Sequence, residues 1–116
     1  MNRYTPLPVR FYRTTSGREP VRMWLRSLDR EAKKIIGADI KTVQFGWPLG
    51  MPLVRKLEND LWEIRSTLPD STARIVFAFY GGAILLLHGF MKKSRKTSAS
   101  DLHLARSRLK TLREAR

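Results

Sequence analysis

Three cationic side chains, Arg65, Arg74 and Lys93, fall in or just after stretches whose residue pattern suits β-strands. Arginine and lysine held on rigid strands can align a phosphate for in-line attack and stabilise the charge that builds in the transition state. A lysine would also exchange protons there only if its surroundings lowered its pKa well below the usual value of about 10.4. The rest of the sequence offers few other catalysts. It has no cysteine, only two histidines (His88 and His103) and no clustered carboxylates, so no metal or other cofactor and no histidine acid/base pair is expected. His88 has the apolar neighbours of a satisfied core histidine, and His103 suits a helix surface. Each cation also has an ordinary role open to it, solvated or ion-paired on a sheet face, and Arg65 has Glu63 two residues away to bridge to.

The elements that would position these residues follow from periodicity. Val9 and Phe11 alternate with Arg10 and Tyr12, which predicts a short strand over residues 7–13. Pro20 suits the first turn of a helix, and Val21, Trp24, Leu25 and Leu28 give that helix one apolar face. Asp29 is placed to cap a second helix with Ala32, Ile35, Ile36, Ile40 and Val43 in its stripe, ended by Gly46 and Pro48. Strand patterns follow over residues 53–57, 61–68, 74–80 and 83–91, with turns at Pro69-Asp70-Ser71 and Gly81-Gly82. Ser98 and Asp101 have capping-box spacing ahead of a last helix with Leu102, Ala105, Leu109 and Leu112 on one face. The predicted fold is α+β and a single domain over residues 1–116: an N-terminal strand, a helical hairpin, three or four antiparallel strands and a C-terminal helix.

Hairpin arithmetic gives the faces. If Gly81-Gly82 is a two-residue loop, Tyr80 pairs with Ala83 and Arg74 with Gly89; the face of Arg74 then carries Leu85, Leu87, Gly89, Met91 and Lys93. With Arg65 opposite Arg74, both arginines and Glu63 share that face, and Gly89 leaves room for a phosphate. His88 and Phe90 would point the other way, and a bulge would invert part of this assignment.

Charge points to the partner. Lys and Arg number 23 against 10 acids, for a net charge of +13. Residues 1–30 carry +5, residues 31–91 carry +1 and residues 92–116 carry +7, so the excess lies at the ends. Such a surface favours a polyanion, although charge alone does not choose RNA over DNA. No leader pattern and no membrane-length apolar run stands out, so a soluble protein of the reducing cytoplasm is expected.

Element order, with Arg55-Lys56-Leu57-Glu58, Leu61-Trp62-Glu63-Ile64-Arg65, Arg74-Ile75-Val76-Phe77 and Leu87-His88-Gly89-Phe90-Met91-Lys92-Lys93 running on through Ser94-Arg95-Lys96-Thr97, resembles the phage-derived HigB-like branch of the RelE/ParE toxins. The resemblance spans about Val9 to Arg108. It implies a toxin that cuts messenger RNA on the ribosome, needs no metal, and is silenced by a helix-turn-helix (HigA-like) antitoxin. Arg74 would clamp the scissile phosphate, Arg65 would stabilise developing charge or activate the nucleophile, and Lys93 would bind phosphate or protonate the leaving oxygen. Lys92, Arg95, Lys96, Arg106, Arg55 and Lys56 are the further RNA-binding candidates, and a one-residue slip exchanges Lys92 for Lys93. Two alternatives stay open: a gyrase poison on the same fold, and a basic nucleic-acid-binding module that cuts nothing.

Overall fold

A computed structural model describes residues 5–115; Arg3 and Arg116, both part of the terminal charge, lie outside the described residues. The chain runs β1 (Val9–Phe11), α1 (Pro20–Ser27), α2 (Arg30–Gly46), β2 (Val54–Glu58), β3 (Leu61–Thr67), β4 (Thr72–Tyr80), β5 (Ala83–Met91) and α3 (Ala99–Glu114). The caps read from the sequence form. Pro20 opens α1, Asp29 accepts the Ala32 amide at 2.8 Å, and Ser98 accepts the Asp101 amide at 3.1 Å.

The sheet is five-stranded and mixed, in the order β1-β5-β4-β3-β2. Strands β2 to β5 form the expected antiparallel meander. What local pattern does not reveal is that β1 joins it, lying parallel to β5 with Val9 opposite Ile84 and Phe11 opposite Leu86. The Ile84 amide donates to the Pro8 carbonyl at 2.8 Å and the Tyr12 amide to the Leu86 carbonyl at 2.9 Å. Only β5 residues 84–86 have β1 partners.

Helices cover both faces. On one, Val21, Ile36 and Val43 of the hairpin bury against Ile64, Ile75, Phe77, Ile84 and Leu86. On the other, Ala105 and Leu109 of α3 bury against Leu61, Val76, Ala78, Leu85 and Leu87. Covering on both sides explains why β4 and β5 are almost continuously apolar. Trp47 belongs to the hairpin-side core, its ring 5.6 Å from Trp62 and 4.9 Å from Phe79.

The β4–β5 turn is the two-glycine hairpin, with Gly81 and Gly82 both at positive φ and Tyr80 opposite Ala83. The predicted register then fails at one point. Phe77 pairs with Leu86 but Val76 pairs with His88, so Leu87 is an extra residue. This β-bulge shifts everything beyond it. Arg74 lies opposite Phe90, not Gly89. Gly89 and Met91 turn to the hairpin face, while His88 and Phe90 turn to the Arg74 face. The Leu87 carbonyl accepts a hydrogen bond from Arg108 of α3 at 2.7 Å.

Candidate nucleic-acid interface

Register brings the predicted arginines together. Arg65 is opposite Arg74 and Glu63 opposite Val76, and Arg55 of β2 is opposite Glu63. Paired residues share a face, so Arg55, Glu63, Arg65 and Arg74 all project to the side that carries α3. The helix packs on the hairpin end of that face. Its other end is crossed by the segment from Lys92 to Ser98, which returns from β5 to start α3.

Beneath this segment lies a buried charge cluster. Arg74 and Glu63 are both 0% exposed. Arg74 donates from Nη2 to the Arg95 carbonyl at 3.0 Å and from Nη1 to Thr97 Oγ1 at 3.4 Å. Thr97 Oγ1 in turn donates to Glu63 Oε2 at 2.5 Å. Glu63 Oε1 faces two guanidiniums, with Arg74 Nε at 3.6 Å and Arg65 Nε at 3.8 Å. None of these three atoms makes a hydrogen bond, so that contact is Coulombic. Arg65 reaches the surface with its side chain 20% exposed and donates from Nη1 to Met51 Sδ at 3.4 Å.

This places the three leading candidates differently. Arg65 stands at the mouth of the cluster. Arg74 is enclosed by protein partners, and in this conformation no phosphate reaches it. The space that Gly89 was expected to leave for that phosphate does not exist either. Gly89 faces α1, and a methyl group there would stand 2.4 Å from Trp24 Cε3. Lys93 lies two residues past the end of β5 and is exposed, as are Lys92, Arg95 and Lys96.

Lys93 and Lys96 line a groove of about 490 Å³ together with Trp24, Phe90, Ser98 and Asp101. Arg55 and Lys96 border a shallower depression beside Thr97 and Leu102. Lys56 also borders that depression, with its ammonium over the Trp62 ring at 5.7 Å. Arg106 is engaged elsewhere, in a bidentate pair with Glu58 at 2.6 and 2.7 Å.

His88 is a paired histidine, its Nε2 2.7 Å from Asp101 Oδ1. Ser98 Oγ donates to the other carboxylate oxygen at 2.6 Å. Burial alone would raise the Asp101 carboxyl; hydrogen bonds with Ser98 and His88, and the charges of His88 and Lys93, hold it below the usual carboxylate range. Among the described residues, no His, Asp and Glu side chains gather to hold a metal ion. No helix there is long and apolar enough to cross a membrane.

Sequence reasoning missed Thr97 and the His88–Asp101 pair. Nothing marks one hydroxyl in a basic run as a buried tether. Parity aimed His88 away from α3 because the Leu87 bulge leaves no signature in a uniformly apolar strand.

Fold and site define a small α+β domain with one cluster of cations on half of a sheet face and on the segment crossing it. Residues 23–110 match the family described as Phage derived protein Gp49-like (DUF891), and the chain belongs to that family, one known for RelE-like toxins. No curated protein matches it.

Proposed function

We propose that this chain is the toxin of a type II toxin–antitoxin pair, of the HigB-like kind, and that it stops translation by cutting messenger RNA on the ribosome. The observation that carries the proposal is the cationic set in which Lys93, Arg95 and Lys96 stand exposed beside the half-buried Arg65 and Arg55, on a member of a family known for RelE-like toxins. In the step envisaged, a ribose 2′-hydroxyl gives its proton to water as its oxygen attacks the adjacent phosphorus, and the bond to the 5′-oxygen breaks. The products are a cyclic 2′,3′-phosphate and a free 5′-hydroxyl. Arg65 stabilises the charge that builds on the phosphoryl oxygens, and Lys93 binds phosphate or delivers the proton taken up by the leaving oxygen. Arg55, Arg95 and Lys96 hold flanking phosphates, with Lys92 as the alternative to Lys93. In this proposal the excess charge supplies salt-sensitive affinity for ribosomal and messenger RNA, and the cytoplasm is the proposed setting.

A cognate helix-turn-helix, HigA-like antitoxin is the proposed inhibitor, acting by covering the basic face with acidic side chains. The proposal is tested by adding purified protein to translating ribosomes and locating 5′-hydroxyl ends on the message by primer extension. Cuts made by wild type and reduced about a hundredfold by Arg65→Ala fit the loss of one charge-stabilising group. An uncut message with RNA still bound leaves a non-catalytic binding module, and an uncut message with gyrase–DNA breaks leaves a gyrase poison.

A further inference from the structure

We infer that Arg74 is a positioning residue: with Glu63 and Thr97 it anchors the cationic segment 92–97 over the sheet, so that Lys93 and Lys96 stand along the groove. The functional half of this inference rests on the nucleic-acid function proposed above; the structural half does not. Between the last residue of β5 and the first of α3 the chain has no regular structure, and it carries four cations, Lys92, Lys93, Arg95 and Lys96, all exposed. Mutual repulsion and conformational entropy both favour a mobile segment there. Against them stand a few attachments. At its start, the Lys92 amide donates to the Thr72 carbonyl at 2.8 Å. At its end, Ser98 is held by the cap of α3. Between these, three hydrogen bonds join the segment to the sheet: two from Arg74, to the Arg95 carbonyl and to Thr97 Oγ1, and one from Thr97 Oγ1 directly to Glu63.

The chemistry of the cluster fits anchoring better than ligand binding. A guanidinium meant for phosphate presents its Nη atoms outward, whereas both Nη atoms of Arg74 already have protein acceptors. One of those acceptors is a main-chain carbonyl within the basic run. That bond fixes the backbone between Lys93 and Lys96 whatever their side chains do. Glu63 supplies the counter-charge that lets a guanidinium reside in the interior. Thr97, itself buried, joins the two through one hydroxyl that both accepts and donates.

Thr97→Val keeps shape and removes that hydroxyl, and Thr97→Ser restores it. Amide hydrogen exchange then reads the anchor directly, without any ligand. Exchange at the Lys92 amide, which donates to the Thr72 carbonyl, should quicken about tenfold in Thr97→Val as the segment loosens, while β4 amides shift less and Thr97→Ser returns to wild type. Fluorescence anisotropy with a single-stranded RNA 12-mer reads the functional half. Thr97→Val should weaken binding about tenfold, and its salt slope should fall by about 1.4 if both lysine–phosphate contacts are lost. Thr97→Val and Arg74→Ala together should cost less than the sum of the two single changes, because they loosen one anchor. Unchanged exchange at the Lys92 amide in Thr97→Val would overturn the anchor. RNA affinity untouched in Thr97→Val while exchange there quickens would overturn the functional half. If wild type binds no RNA at all, the nucleic-acid function fails, and the exchange measurement still decides the anchor.

Discussion

Glu63→Gln should be far more damaging than its conservative chemistry suggests. Glutamine keeps the volume and keeps an oxygen to accept from Thr97, so the substitution removes little except one negative charge. That charge faces Arg74 at 3.6 Å and Arg65 at 3.8 Å, and both Glu63 and Arg74 are fully buried. Removing one partner of a buried pair leaves the other charge uncompensated, at a cost of about 3–5 kcal/mol. Because the Thr97 bond survives, the lower end of that range applies. A domain of this size has roughly 5–15 kcal/mol of stability in all. At roughly 4 °C per kcal/mol, the unfolding midpoint should fall by about 12 °C. Circular dichroism melts of the two proteins measure this, with Glu58→Gln as control. Glu58 has a shorter, bidentate arginine pair, but Arg106 in that pair is half exposed, so water screens it and the shift should be much smaller. The reasoning fails if Glu63→Gln lowers the midpoint no more than Glu58→Gln.

Other outcomes follow from the same geometry. Gly89→Ala puts a methyl 2.4 Å from Trp24 Cε3 and 2.6 Å from Cζ3, so the ring must move; urea titration should show about 1–3 kcal/mol lost, with a change in tryptophan emission. Asp101 has a carboxyl held low in the folded state, so its contribution is complete above its unfolded value of about 4 and is lost as the pH falls through the lower folded value. Wild type should therefore exceed Asp101→Asn in stability at pH 5, and the margin should shrink below about pH 4 in acid melts.

Much of this was legible in the sequence because the signals are local. Pro20, Asp29 and Ser98 start helices where capping chemistry requires, and the two glycines fix the β4–β5 hairpin and its first pairs. Arg65 faces Arg74 as one setting of the Pro69-Asp70-Ser71 turn would place it, and Glu63 on the same face then follows from strand parity. What stayed hidden depends on contacts far apart in the chain. Adding β1 beside β5 needs only three residues and leaves no local mark. One extra residue at Leu87 reverses His88, Gly89 and Phe90, and a run of leucines conceals which of them it is. The burial of Arg74 depends on a carbonyl at residue 95 and a hydroxyl at residue 97, a backbone group and an unremarkable side chain that no spacing rule selects.

The central claim, an exposed cationic site that cuts messenger RNA, is tested most directly by mapping the 5′ ends of cellular messages after brief expression of wild type, Arg65→Ala and Lys93→Ala. New codon-phased 5′-hydroxyl ends should appear with wild type and largely vanish with Arg65→Ala. Lys93→Ala should cut at the same positions with reduced yield. Growth arrest by wild type with no new ends, or cleavage undiminished in Arg65→Ala, would contradict the account.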